Sequence, residues 1–103
     1  MDLNEYVRAL DVEFSMYADP IHALHSKKHM LNQFEYFGLR SPQRRLISSA
    51  FLNKHGLPVD KHTLSTEKIL WNKTERELQY SAMEFLEKKV KQGFTVDIGQ
   101  RNF

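Results

Sequence analysis

Residues 32–45 read NQFEYFGLRSPQRR, and they contain the clearest stop and restart of secondary structure in the 103-residue chain. Gly38 is typical of a helix C-terminus, where a residue in the left-handed conformation is commonly needed. Ser41 and Pro42 then supply a helix-capping residue and a proline suited to the first helical turn. The stretch therefore predicts one helix that ends near Gly38 and another that begins at Ser41.

Apolar residues recur at steps of three and four on both sides of this stretch, which is the pattern of amphipathic helices. Asp2 followed by Glu5 is typical of a capping box at the start of the first helix. Thr74 followed by Glu77 gives the same signal for the last helix, which Gly93 should end. Five helices are predicted, over about residues 2–17, 21–36, 41–55, 63–71 and 74–93, and an interruption of the second near Ser26 is left open.

Each predicted helix carries an apolar stripe that should face a common core. Phe34, Phe51 and Trp71 are interpreted as packing residues, and Glu75 and Glu77 as exposed carboxylates at a helix start. The inward positions predicted are Leu3, Tyr6, Val7, Leu10, Phe14 and Tyr17 in the first helix; Ile21, Leu24, Met30 and Leu31 in the second; Leu46, Ile47 and Ala50 in the third; Leu64, Ile69 and Leu70 in the fourth; and Leu78, Ala82, Phe85, Leu86 and Val90 in the fifth.

The pattern predicts an all-α protein, since the one strand candidate, residues 94–98, is short. Antiparallel helices joined by short turns fit either a bundle or stacked helical hairpins. A hydrophobic content of 41% with 27% charged residues and no cysteine is ordinary for one soluble domain without disulfides. No apolar run has the length of a membrane span and no secretory signal is visible, so a cytoplasmic domain is expected.

Positive charge is concentrated in residues 26–45, here called the basic island. The net charge of the chain is only +2, but residues 1–25 are mainly acidic and the basic island carries Glu35 as its only acid. A polyanion would meet this segment first, because phosphates are held by lysine, by arginine and by the start of a helix. Two roles stay open for Arg44 and Arg45, phosphate binding or ion pairing with a neighbouring helix. The basic side chains of the island are Lys27, Lys28, Arg40, Arg44 and Arg45.

The remaining polar residues give little support for catalysis. His22, His25 and His29 would share one face of a helix, but ligands spread over two turns converge poorly on a metal ion, so surface histidines are the favoured interpretation. No strained serine turn and no glycine-rich phosphate loop occurs. The sequence therefore predicts no catalytic residue, no metal and no cofactor.

Residues 32–45 resemble the signature of the AlkD-like DNA alkylation repair family, a helix followed by a Phe-x-Gly turn and a Ser/Thr-Pro-x-Arg-Arg helix start. A second segment is similar to the same family: Trp71, then TERELQY at residues 74–80, then Ala82, in place of Trp, Pro-Glu-Arg-Glu-Phe/Leu-Gln and Ala. The two motifs stand at the expected distance, and the resemblance covers nearly the whole chain.

The resemblance implies a solenoid of HEAT-like helical pairs whose concave basic face holds duplex DNA, and a glycosylase that excises N3- or N7-alkylated purines without a metal. This chain, residues 1–103, would be the N-terminal portion of that longer domain. A Trp-Trp-Asp-like catalytic segment would follow Phe103, so this chain alone is not expected to be catalytic. Whether it is a truncation or a natural fragment is left open.

The sequence departs from the family pattern at two places. His29 stands where many members carry a DNA-facing tyrosine, which makes His29 a candidate DNA contact. Lys73 and Thr74 replace the usual Leu-Pro. Two other functions also stay open: a helical-repeat module that binds a protein and no DNA, and self-association through the exposed end of the repeat stack.

Overall fold

The computed structural model describes residues 2–95, and within them the fold is all-α with no strand, as predicted. Asp2 caps the first helix as expected, because its carboxylate accepts a 2.8 Å hydrogen bond from the Glu5 N–H. Most of the candidate strand at residues 94–98 lies outside the described residues. The five helices are α1 Leu3–Met16, α2 Pro20–His29, α3 Ser41–His55, α4 Asp60–Trp71 and α5 Arg76–Lys91.

Helices α3 and α5 form one layer and run in the same direction. Their starts meet, since Ser41 and Tyr80 line one hollow. Their ends meet as well, since Leu52 and Gln92 line another. Between these points the rings of Phe51 and Phe85 stack with centroids 6.4 Å apart.

Helices α1 and α4 form the second layer, which is antiparallel to the first. Tyr6, near the start of α1, packs edge-on against Phe51, near the end of α3, with ring centroids 5.1 Å apart. Lys89, near the end of α5, pairs with Asp60 at the start of α4. The described residues therefore form two stacked helical hairpins, α1 with α3 and α4 with α5, which is the arrangement of HEAT-like repeats.

The core lies between the two layers. Leu10, Phe14, Leu70, Leu78 and Phe85 are completely buried there, and each such side chain stabilises the fold by roughly 1.5–3 kcal/mol. These five were all predicted as inward positions. The sequence pattern therefore identified the centre of the core correctly.

Several predicted inward positions lie on the surface instead. The largest error is in α3, where Leu46 is 73% exposed and Ala50 is also exposed. Arg44 and Ser48 are buried in their place because they bond to Glu84 and Ser81 of α5. The other predicted inward residues that are exposed are Tyr17, Ile21, Leu24, Leu31, Trp71 and Val90.

Helix α2 ends at His29, about two turns before the predicted end near residue 36, and continues unbroken through Ser26. The Asn32 N–H donates to the Lys27 carbonyl (2.8 Å) and the Leu31 N–H to the Lys28 carbonyl (3.1 Å), which are the two bonds of a Schellman ending. Leu31 takes the left-handed position with φ 55°. This position usually holds glycine, so no residue type at this point signalled the end of the helix.

Three helix starts also differ from the predictions. Helix α4 begins at Asp60, three residues before the predicted start at Thr63, and the Thr63 hydroxyl donates to the Val59 carbonyl within the first turn. In α5, Glu75 is the N-cap and no side chain caps the start, so the predicted Thr74–Glu77 box is absent. Ser41, predicted as the capping residue of α3, is instead the first residue of that helix, and Arg40 is the N-cap.

Glu67 of α4 is an unusual carboxylic acid in the core. Its side chain is only 2% exposed, and neither oxygen has a hydrogen-bond partner among residues 2–95. Burial raises the pKa of Glu67 from 4.5 to about 8. The pKa of Tyr6 is raised as well, by its own burial and by the Glu67 charge.

We expect Glu67 to make the fold less stable as the pH rises. The folded pKa lies above the unfolded one, so the free energy of unfolding falls between pH 4.5 and about pH 8. The loss should be on the order of 2 kcal/mol. This is less than the whole pKa shift would give, because the core can open locally to hydrate the charge. Glu67→Gln should remove this slope in urea unfolding curves, whereas the exposed Glu87→Gln should keep it.

Candidate functional site

The connection between α2 and α3, residues 30–40, lies against the start of α5. Here it is called the α2–α3 loop. Glu35 and Glu75 form an isolated parallel β-bridge, in which the Arg76 N–H donates to the Glu35 carbonyl at 2.8 Å. The two sequence motifs quoted above are therefore in direct contact.

Glu77 fastens the α2–α3 loop to α5. One carboxylate oxygen accepts the Phe37 N–H (3.0 Å), and the other accepts those of Gly38 (3.0 Å) and Leu39 (3.1 Å). The side chain lies in the first turn of α5, as predicted, but it is buried and caps no helix start, so the predicted capping role was wrong. Its charge is used to hold three backbone amides, and such charge-assisted bonds are roughly twice as strong as neutral ones.

Gly38 brings the same loop against α2. A Cβ atom at this position would lie 2.0 Å from the Asp19 carbonyl oxygen and 2.7 Å from the Ala23 nitrogen. Its φ of +93° is also a value that side-chain-bearing residues rarely adopt. Gly38 was predicted to end a helix, but it allows two backbone segments to approach instead.

Arg76 fills the space beside these contacts. Its guanidinium lies 4.4 Å from the centre of the Phe34 ring and 4.9 Å from that of Tyr80. Its Nη1 donates to the Gln79 side-chain oxygen at 2.6 Å, and the Gln79 amide donates to the Lys73 carbonyl at 3.0 Å. Within the second motif, Arg76, Glu77 and Gln79 therefore hold the start of α5 together.

A groove runs between α2, the α2–α3 loop and the starts of α3 and α5. It consists of two hollows of about 330 Å³ and about 430 Å³ that share His22, Ser26 and Tyr36. We call it the α2 groove. The smaller hollow is also lined by Leu39, Arg40, Ser41, Arg44, Glu77 and Tyr80, and the larger by His25, His29 and Met30.

The aromatic and imidazole groups of the α2 groove come from two segments. His22, His25 and His29 share one face of α2, as the spacing predicted, and Tyr36 faces them from the loop. Burial raises the pKa of Tyr36, with Tyr80 adding to the effect. Among residues 2–95, no group of three histidines, cysteines or acids is placed to hold a metal ion.

The structure divides the predicted phosphate-binding residues among several surroundings. Lys27 is half-buried and pairs with Glu35 at 2.8 Å. Lys28 is exposed near the end of α2, and Arg40 is exposed on the α2 groove. Of the predicted phosphate-binding residues, Arg40 and Arg44 border that groove, and so does His29, the other candidate DNA contact.

Arg44 and Arg45 have different environments although they are neighbours. Arg44 is 8% exposed and pairs with Glu84 of α5 at 3.2 Å, which is the ion pair left open by the sequence. Its guanidinium also lies 5.8 Å from the centre of the Tyr80 ring. Arg45 is exposed on the outer face of the α3–α5 layer.

That outer face carries two cations that the sequence analysis missed. Arg45 and Ser49 of α3 line a hollow of about 290 Å³ with Lys88 and Lys91 of α5. The run KKVK at residues 88–91 was the available signal. It was missed because Glu84 and Glu87 make this part of the sequence appear neutral.

Comparison with known proteins agrees with the resemblance seen in the sequence. A search of curated proteins found no match to the chain. The model of the DNA alkylation repair enzyme family matches residues 10–100, a span that includes both motifs and the segments they join. Since this match covers most of the chain, the protein belongs to the DNA alkylation repair enzyme family.

Proposed function

We propose that this chain is a DNA-binding scaffold within a repair glycosylase that removes N3- or N7-alkylated purines, and that it contacts the phosphates of a duplex through the outer face of α3 and α5. Family membership supports a role at DNA. The catalytic step is assigned to none of the residues described here. A cytoplasmic location is part of this proposal, and within residues 2–95 no helix is long and apolar enough to cross a membrane.

The observation that carries the proposal is the convergence of cations from two helices on one face. Glu84 of this face is neutralised by Arg44 (3.2 Å) and Glu87 by Lys91 (3.3 Å). Among residues 2–95 neither Arg45 nor Lys88 forms an ion pair, so both are available to an external anion. Such contacts position a protein on DNA without reading its sequence, which suits an enzyme that must search undamaged duplex.

We expect Arg45→Gln combined with Lys88→Gln to weaken duplex binding. In a fluorescence-anisotropy titration of a short duplex at several salt concentrations, the slope of log affinity against log salt should become shallower by about 2, because two phosphate contacts are lost. Both side chains lie on the surface, so folding should be nearly unaffected. Arg44 is left unchanged because it is buried, and replacing it would alter the stability of the fold as well as the affinity for DNA.

The matched control is Lys61→Gln with Lys68→Gln, which removes the same charge from exposed positions on α4, in the other layer. If both double variants lose equal affinity for the duplex, the outer face of α3 and α5 is not the DNA-binding face. If the unaltered chain shows no salt-dependent duplex binding, the alternative function, a helical-repeat module that binds a protein and no DNA, is favoured instead. Self-association stays a prediction, and Trp71, Met83 and Val90 are exposed side chains of α4 and α5 that it could bury.

A further inference from the structure

His25 and His29 lie one turn apart in the last part of α2, and both side chains are exposed. Residues four apart on a helix are neighbours, with Cβ atoms about 5–6 Å apart. Two histidines at this spacing hold the zinc ion in the helical His-Glu-x-x-His motif. Within residues 2–95 neither ring takes part in an ion pair or in an aromatic contact. The two imidazoles are therefore available to bind one metal ion together.

This pair is a smaller site than a cage of three histidines. His22 lies seven residues before His29, about two turns away, and within residues 2–95 no three histidines, cysteines or acids are grouped to hold a metal ion. Ser26 stands where the zinc motif has its catalytic glutamate. The pair thus offers coordination without the general base of a hydrolase, and a third ligand has to be a different kind of side chain.

Met30 provides such a ligand. It follows His29 directly as the C-cap of α2, and it lines the same hollow of about 430 Å³ as His25 and His29. Among the described side chains that line this hollow there is no acid. Carboxylates suit Mg²⁺, Ca²⁺ or Mn²⁺, whereas a thioether beside imidazoles suits Cu(I). The donor set is therefore neutral and soft.

The charges near the two histidines favour a singly charged ion. Lys27 is paired with Glu35 at 2.8 Å, but Lys28 is exposed and has no ion pair within residues 2–95. Repulsion by a nearby cation is proportional to the charge of the ion, so it is about half as large for Cu(I) as for Zn²⁺. The chain also has no cysteine, so no thiolate competes for copper.

We propose that the end of α2 binds one Cu(I) ion through the imidazoles of His25 and His29 and the thioether of Met30. The ion enters in its reduced state and is bound without electron transfer. It would join the last turn of α2 to the first residue of the α2–α3 loop. Neither DNA nor the outer face of α3 and α5 takes part, so this proposal and the proposed function can fail separately.

The test follows the methionine methyl signals by NMR while Cu(I) is added to the unaltered chain under nitrogen with ascorbate. The Met30 signal, identified by its loss in Met30→Leu, should move until copper and chain are present in equal amounts. The signals of Met16 and Met83 should stay in place, although these side chains are 68% and 51% exposed. They are internal controls for copper binding to any accessible thioether. An equal amount of Zn²⁺ should move the Met30 signal less.

His25→Gln and His29→Gln should each weaken copper binding about tenfold or more, since even changes behind the ligands of a metal site cost about 10–100-fold. His62→Gln removes a histidine from α4 instead and should leave the affinity unchanged. Because His25 and His29 are exposed, their replacement should preserve the fold, which circular dichroism melting checks. An unmoved Met30 signal, an equal shift of the control methyl groups, or full binding by His29→Gln overturns the proposal.

Discussion

Replacing Gly38 with alanine is expected to remove about 4 kcal/mol from the free energy of unfolding, a large part of what a small domain has. The strain of a side chain at φ +93° accounts for about 1–2 kcal/mol of this loss. The new methyl group would also overlap the Asp19 carbonyl oxygen, 2.0 Å away. Forcing atoms into a filled space costs about 1–3 kcal/mol, and the overlap involves backbone that cannot rotate away.

Gly93→Ala is the matched control for this prediction. Gly93 has nearly the same φ, +97°, but among residues 2–95 no atom beyond its two chain neighbours lies within 4 Å of the added Cβ. It therefore measures the conformational strain alone. Urea unfolding of both variants should show Gly38→Ala losing at least twice as much as Gly93→Ala, and equal losses would mean that α2 moves aside without cost.

Replacing Glu77 with alanine should have an effect of similar size. Three backbone N–H groups, those of Phe37, Gly38 and Leu39, would lose their acceptor. Each buried donor left without a partner costs about 1–3 kcal/mol, and water entering the vacated space offsets part of the sum. We expect a net loss on the order of 4 kcal/mol, measured by urea unfolding.

Two further variants show whether the hydrogen bonds carry this effect. Glu77→Gln keeps the size of the side chain and one acceptor oxygen, so its loss should be about half as large. Glu75→Gln removes the same charge two residues earlier, where the carboxylate accepts, within residues 2–95, only the Thr74 hydroxyl, and it should cost under about 1 kcal/mol. A loss at Glu75 equal to that at Glu77 would show that helix-start charge, not the loop contacts, is responsible.

The sequence alone predicted the helical framework well because the signals concerned are local. Apolar spacing placed five helices in the correct order, and Gly93 marked the end of α5. Asp2 marked the start of α1 in the same way. Each of these signals depends on residues within a turn or two of one another, so the chain can be read without knowing what packs beside it.

The candidate site was harder to predict because its contacts join residues about 40 positions apart. A glutamate at a helix start reads as a cap, and nothing near Glu77 in sequence indicates that its acceptors serve residues 37–39. The burial of Arg44 depends in the same way on Glu84. The family motifs were recognised as patterns, but their contact with each other became visible only in the structure.

Helix α2 has no buried residue, and it is fastened mainly through backbone contacts at Gly38 and Asp19, with the Lys27–Glu35 ion pair as a side-chain contact to the α2–α3 loop. Its exposed positions are therefore free of packing constraints. A library in which His25, Lys28 and His29 are randomised should remain folded in most members. The helix is thus a natural place to graft new ligand preferences onto this scaffold, since recognition can be altered there without rebuilding the core.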